Sequence, residues 1–375
     1  MSIMKNIVKF IAYSVLSAAI FISCNKDDEY LPPEWNYDIP DTPLKAQTQL
    51  GAIYSNKVDI NWTSAQGYTP ILNIVEEEGE VIGTVTYTST QDGILTRQCE
   101  MAEKAGIDFF VFSWNASETD RNLISAYEFY RTEETKVKVA INYNFGHLRL
   151  TSLTGSGDDF DKTVNDFKTL YTELFSKDWY YRMPDGRPVI IVSGNNSDTI
   201  VWEEFLPAFR TAMTEYTTSL QETDPEIDSN CLNFYIIGEN TTNWVAPQVN
   251  EKTAKCLDGN YVKNWYPTKY YERWYCFHSF TDMAWENWRS YAAKWGNDFV
   301  PCIYPEYYTT EKGARSIERS EENYIDFCNV AKRNIGSQNI ILINSWNDFS
   351  HDNALEPTSE YGELYLNLTK QNLKL

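Results

Sequence analysis

Ile340-Ile341-Leu342-Ile343 runs directly into Asn344-Ser345-Trp346-Asn347-Asp348-Phe349-Ser350-His351-Asp352-Asn353-Ala354-Leu355-Glu356-Pro357. Four consecutive aliphatic residues with no polar alternation need cover on both faces, as a strand inside a parallel sheet has. The segment after them is polar and reactive: Trp, Asn, Asp, His and Glu, side chains that hold sugar hydroxyls and move protons. A buried strand emptying into such a loop places a candidate active site at the strand's C-terminal end.

Outward from this segment, apolar runs of strand length recur at 50–54, 108–114, 137–143, 188–193, 233–238, 261–266 and 299–304, with 339–345 the eighth. Between them lie stretches with helical spacing, at 93–104, 120–130, 160–175, 201–216, 282–294 and 317–332. Gly106, Gly155, Gly296 and Gly336 stand where helices are expected to stop. The stretch at 244–256 carries a proline and little period, so the helix after the fifth strand is expected to be the weakest. Strand then helix, eight times over, predicts an α/β fold of the (β/α)8 TIM-barrel type, in one domain spanning 46–375. A doubly wound open sheet is the alternative, although no Gly-rich phosphate loop supports its nucleotide-binding form.

The start of the chain has a different character. Lys5 and Lys9 precede an apolar segment at 10–22 that ends Phe21-Ile22-Ser23-Cys24. A short basic region, a short apolar core and a small residue before Cys resemble a bacterial lipoprotein signal, and the run is short for a bilayer span. That resemblance implies a signal peptide at 1–23, lipid on the Cys24 thiol and a tether at 24–45. The acidic run Asp27-Asp28-Glu29 resembles the surface-export signal of Bacteroidetes lipoproteins. An exported outer-membrane lipoprotein, exposed at the cell surface, is therefore expected.

With 53 acidic against 32 basic residues and a formal net charge of −21, the chain lacks the clustered Lys and Arg that phosphate backbones require. No nucleic-acid partner is expected, and the only membrane contact expected is the lipid anchor. Of the seven Cys, six remain beside Cys24: Cys99, Cys231, Cys256, Cys276, Cys302 and Cys328, too scattered for a zinc knuckle or a CxxC site. The three His, at 147, 278 and 351, have no partners at ligand spacing, so neither a His-built metal site nor a cofactor is expected. An all-oxygen calcium site stays open. A monomer is expected. Twelve Trp and 26 Tyr supply ring faces for sugars, and equally good core material.

In a TIM barrel, function gathers at the C-terminal ends of the strands. Those positions here hold Tyr54, Trp114, Asn144, Glu239, Trp265, Glu306, Tyr307, Trp346, Asn347 and Asp348. Such a ring suits an oligo- or polysaccharide. Tyr54, Trp114, Asn144, Glu239, Trp265, Tyr307, Trp346 and Asn347 are the candidate substrate contacts; Asp348, His351 and Glu306 are the candidate catalytic groups.

The final segment resembles the signature of glycoside hydrolase family 99 and the related family 71/99-like proteins. There the eighth strand runs into Asn-Glu-Trp-His-Glu-Gly, three further residues and Glu-Pro. This chain keeps the frame in Asn347, Asp348, Phe349, Ser350, His351, Asp352, Glu356 and Pro357. Ala105-Gly106-Ile107-Asp108-Phe109-Phe110-Val111-Phe112-Ser113-Trp114, Asp185-Gly186-Arg187-Pro188 and the segment 301–307 extend the resemblance over about 47–366. It implies a (β/α)8 barrel acting internally on α-mannosides with retention of configuration, often as an exported lipoprotein of gut bacteria.

Two departures from that frame bear on chemistry. Asp348 stands where the family's Glu works on the sugar 2-hydroxyl, and its carboxylate is set back by one carbon–carbon bond, about 1.5 Å. His351 stands where the family's general acid and base is Glu; an imidazole, with a pKa of about 6.5, can protonate a leaving oxygen, although paired carboxyls are the usual machinery. Three readings compete. Asp348 and His351 act as a modified pair; or catalysis uses Asp348 with Glu306 or Glu239, with Asp352 or Glu356 replacing the lost acid; or the barrel binds glycan without cutting it. Glu356 is expected to hold the loop, Asn144 to fall where the family has a strand-three Glu, and Arg319 to match a downstream family Arg.

Overall fold

Strand β1 (Gln49–Tyr54) is buried at every position after its first, as a strand covered on both faces must be. The computed structural model describes residues 36–77, 79–194, 197–240, 247–263, 276–310 and 316–375. Its further strands are β2 (Phe109–Trp114), β3 (Lys138–Asn144), β4 (Val189–Ser193), β5 (Tyr235–Asn240), β6 (Gly259–Val262), β7 in two pieces (Asp298–Phe299 and Cys302–Ile303) and β8 (Ile340–Ile343). Each is followed by a helix: α1 (Ile94–Ala105), α2 (Glu118–Tyr130), α3 (Asp158–Leu170), α4 (Trp202–Thr223), α5 (Glu251–Ala254), α6 (Phe277–Trp295), α7 (Glu321–Asn334) and α8 (Leu364–Leu373).

All neighbouring barrel strands pair in parallel. β1 lies between β8 and β2, with Gln49 opposite Ile340 and Gly51 opposite Phe109. The wall closes through β7, whose first piece pairs with β6 (Gly259 opposite Asp298) and whose second pairs with β8 (Cys302 opposite Leu342). Val300 N–H bonds the Asn260 carbonyl at 2.8 Å, and Leu342 N–H bonds the Pro301 carbonyl at 2.9 Å. The expected (β/α)8 TIM barrel is the observed architecture.

The barrel has two cores, sorted by the two-residue period of its strands. Phe109 and Val111 point inward with Ile53, Ile191, Ile237 and Leu342. Phe110, Phe112 and Trp114 point outward into the layer between wall and helices. Gly51 belongs to the inner set for want of space: a Cβ there would meet the Phe109 ring at 2.4 Å.

Helix ends follow local chemistry. Ser117 accepts from Asp120 N–H in a capping box at the start of α2. Gly106 and Gly296 end α1 and α6 in the left-handed region, at φ 76° and 78°, as expected of them. Gly155 and Gly336 end no helix. Each is small because backbone passes close: a Cβ would meet the Glu204 carbonyl oxygen at 2.9 Å and the Phe299 carbonyl oxygen at 2.7 Å.

Other boundaries moved. The sixth strand, expected at 261–266, is Gly259–Val262, and 264–270 lie outside the described residues. The helix expected at 160–175 stops at Leu170 and continues as one wide turn, Tyr171–Phe175. Helix α5 has only four residues, as its weak period suggested. Helix α8 and an antiparallel hairpin, Ile74–Glu77 with Glu80–Thr84, were not expected. Among the described residues no helix is long and apolar enough to cross a membrane, and all six described cysteines are free. The segments 1–23 and 24–35, Cys24 included, lie outside the described residues.

Candidate active site

The parity that builds the two cores also sorts the strand-end residues. Tyr54 and Trp114 belong to the outer layer, not the barrel mouth. The Tyr54 ring packs between Phe110 and Phe112, and its hydroxyl donates to Gln98 Oε1 at 2.8 Å on α1. Trp114 is buried, with the Arg121 guanidinium over its ring. Trp346 is 0% exposed and packs on Phe110, with ring centroids 5.3 Å apart. None of these three rings is available to a sugar, so their expected role as substrate contacts is corrected to core packing.

Asn347 is also buried. Its Oδ1 accepts from Ser55 N–H at 2.8 Å and its Nδ2 donates to the Tyr87 hydroxyl at 3.3 Å, which ties the eighth loop to the end of β1 rather than to substrate. Asn144 caps the turn after β3, accepting from Gly146 N–H at 2.9 Å and donating to Asn115 Oδ1 at 2.8 Å. Trp265 lies outside the described residues.

Asp348 and His351 do come together. Asp348 Oδ2 lies 3.1 Å from His351 Nδ1, and Oδ1 accepts from Ser350 N–H at 3.1 Å and from the Ser350 hydroxyl. Asp348 N–H donates to Ser345 Oγ at 2.6 Å, so the loop fixes its own carboxylate. Burial works against the charge of Asp348, yet the hydrogen bonds from His351 and Ser350, with the charges of His351 and Lys57, outweigh it and hold the carboxyl at about 2. Asp348 in turn raises His351 above the ordinary imidazole value, against partial burial. The buried Tyr307 ring stacks on the imidazole, 5.2 Å between centroids and 16° between planes, so Tyr307 supports His351.

Glu306, on the loop after β7, and Asp352 and Glu356, on the eighth loop, are engaged in holding these loops together. Both Glu306 oxygens are occupied, Oε2 by Arg319 Nε at 2.8 Å and Oε1 by Gln66 Nε2, in a pair whose side chains are 2% and 4% exposed. Arg319 also donates to the Asp352 and Ala354 carbonyls and lies over Tyr361 and Tyr365. Glu306 thus anchors the loop, and its expected catalytic role is not supported by its surroundings. Asp352 accepts from Ser64 Oγ at 2.6 Å and from Gln66 N–H at 2.7 Å, clipping the segment after β1 to the eighth loop. Glu356, 1% exposed, accepts from the Tyr87 hydroxyl at 2.7 Å, and burial pushes its carboxyl up to about 7.

Glu239, at the end of β5, is on the inward side, where a substrate contact has to be. Its Oε2 accepts from the Tyr261 hydroxyl at 2.6 Å and from Asn142 Nδ2 at 3.2 Å, and lies 3.9 Å from Lys263 Nζ. The charge of Lys263 also reaches His351, so the two halves of the mouth are electrostatically linked. Asn142 is one of the polar residues that the sequence places at the strand ends, whereas sequence reading missed Tyr261, Lys263 and Lys57. Lys57 is 7% exposed, lies over the Trp62 ring, and is held below the ordinary lysine value by burial, against the pull of Asp348 and Glu356. Its position three residues past β1 was the one available signal. Among the described residues no cluster of three or more His, Cys, Asp or Glu is placed to hold a metal ion.

A family model described as glycosyltransferase WbsX matches residues 161–369, more than half of the chain. The chain belongs to the WbsX family. Among solved structures this WbsX-family chain is similar to a glycoside hydrolase-like protein, with a TM-score of 0.72 at 19% identity, covering 92% of this chain and 100% of that one. It is also similar to the family 99 endo-alpha-mannosidase from Bacteroides thetaiotaomicron, with a TM-score of 0.54 at 14% identity, covering 87% of this chain and 96% of that one. Identities this low speak for a shared fold. Together with the family match they uphold the 71/99-like assignment carried by Asn347 to Pro357. A search of curated protein sequences gave no match.

Proposed function

We propose that this WbsX-family barrel is a glycoside hydrolase that cuts a polysaccharide or glycan internally, with an α-mannoside-like substrate, at the outer cell surface where lipid on Cys24 tethers it. The observation that carries the proposal is the 3.1 Å contact between Asp348 and His351 at the barrel mouth. A carboxyl held at about 2 is a poor proton acceptor, so Asp348 serves as the fixed charge that keeps the imidazole protonated. His351 donates its proton to the glycosidic oxygen as the bond to the anomeric carbon breaks. The neutral imidazole then takes a proton from the water that attacks that carbon, and the dyad is restored.

The description of the WbsX family points to transfer rather than hydrolysis. A nucleotide-sugar donor would need uncompensated cations for its diphosphate, and the charges of Lys57 and Lys263 at this end are offset by nearby carboxylates. Water as acceptor is therefore the better reading. One observation favours a second reading, a glycan-binding protein without activity: the family's second Glu is replaced by His351, whose side chain is 46% exposed and offers a weaker acid site than a buried carboxyl.

The deciding experiment incubates the soluble chain, from Asp28 onward, with α-mannans, N-glycans and other α-linked polysaccharides, beside His351→Gln. Release of oligosaccharides by the wild type and not by the variant supports the hydrolase. No release from any of them, with retardation in a glycan-containing gel, gives the protein to the binding reading. Cys24→Ala, followed by fractionation and surface proteolysis of cells, tests the anchor.

A further inference from the structure

Asn142, on the inward side of β3, is 8% exposed, and its Oδ1 is buried without a hydrogen-bond partner among the described residues. A buried amide oxygen left unpaired is costly, so such an atom marks a place where something else donates. Its neighbour is Glu239. The Asn142 Nδ2 bond, the Tyr261 hydroxyl bond and the Lys263 approach all fall on Glu239 Oε2, and among the described residues no protein donor reaches Oε1. Tyr261 is itself 0% exposed, so the carboxylate is fixed from below by a buried side chain.

The Asn142 amide bonds the Glu239 carboxylate, so the two remaining acceptors, Oδ1 and Oε1, belong to side chains in direct contact. Lys263 Nζ, at 3.9 Å from Oε2, is too far to bond it directly and remains a donor near the carboxylate. Two acceptors on side chains in contact and a donor near one of them suit two neighbouring hydroxyls of a pyranose. Each hydroxyl gives a hydrogen to one acceptor, and one of their oxygens accepts from the ammonium.

We propose that Asn142, Glu239 and Lys263 form a subsite for the vicinal diol of a neutral sugar unit, and that Glu239 sets specificity by excluding anionic sugars. This rests on the reading of the barrel as glycan-handling and adds the chemistry of the unit it holds. A uronate carboxylate or a sulfate ester brought to Glu239 would put like charges together near a buried wall, whereas a neutral hexose meets only hydrogen-bonding groups.

The test separates binding from cutting. His351→Gln, which removes the proposed acid and leaves this subsite intact, is run in native gels containing α-mannan, α-glucan, galactan or polygalacturonate. It should be retarded by at least one neutral glycan and not by polygalacturonate. Adding Glu239→Gln should weaken that retention at least tenfold, as should Asn142→Ser, with both variants checked for an unchanged thermal midpoint. Retention unaffected by both folded variants overturns the subsite. So does polygalacturonate retained as strongly as the neutral glycans, or no retention by any of them. If the wild type cuts nothing while retention is present and lost in Glu239→Gln, the hydrolase reading fails and the subsite stands.

Discussion

The Tyr87 hydroxyl donates to Glu356 Oε2 at 2.7 Å, and Gln98 Nε2 reaches the same oxygen at 3.2 Å, while Oε1 of this buried carboxyl has no partner among the described residues. Burial therefore dominates, and Glu356 is raised to about 7 in the folded protein. An acid raised on folding binds its proton more tightly in the native state. Its contribution to stability is complete below the unfolded value, near 4.3, and is lost as pH rises through about 7. Glu356→Gln keeps an acceptor for Tyr87 and removes the titration. The variant should lose less stability than the wild type between pH 5 and pH 8, by an amount on the order of 3 kcal/mol, in urea unfolding at both pH values.

The Asp348–His351 pair sets a pH profile of its own. Asp348 raises His351, so the acid form persists above the ordinary imidazole range and the alkaline limb of kcat on any cleaved glycan should lie above about 6.5. Asp348→Asn removes the charge, and that limb should move to lower pH. His351→Gln should lower kcat by about 10²–10⁴-fold. A limb that stays in place in Asp348→Asn would separate the two residues functionally.

Trp346 and Trp114 hold the wall against the helices. Trp346→Ala should cost about 3–5 kcal/mol in chemical denaturation. Trp346→Phe, which keeps most of the contact with Phe110, should fold and retain glycan as the wild type does. Loss of retention in the folded Phe variant would return this ring to the binding site.

Glu306 and Arg319 form a buried pair, and removing one partner strands the other. Arg319→Met alone should destabilise by about 3–5 kcal/mol, and adding Glu306→Gln should recover part of that loss in a double-mutant cycle of unfolding. Strict additivity of the two changes would mean that the pair is not coupled.

Much of the barrel was legible because parallel strands are the least ambiguous pattern in this chain: aliphatic runs such as Ile340–Ile343, separated by helical periods. The same property hid the facing of their ends. A strand buried on both sides carries no alternation to show which residue points inward, so Tyr54, Trp114 and Trp346 looked like rim and are wall. Glu239 was read as a mouth residue, and its parity agrees. Its companions Asn142, Tyr261 and Lys263 come from other strands, and only the pairing of Gly238 with Asn260 and of Asn142 with Ile191 sets their level. Glu306 needed two long-range partners, Gln66 and Arg319, before its burial could be known. The hairpin at 74–84 was missed although Gly79 marks its turn, because Val81 and Ile82 are exposed apolar residues that cover nothing.

The divided β7 has a mechanical meaning. Its stave changes partners at Pro301, where the chain has no N–H to give, so the wall of the cylinder has a parting line between the β6 flank and the β8 flank. Each flank is fastened to the stave by its own short set of bonds, the Val300 amide on one side and the Leu342 amide on the other. The cylinder can slacken along one edge of that line while the other stays fastened, and exchange of these two amides with solvent would report the two edges independently.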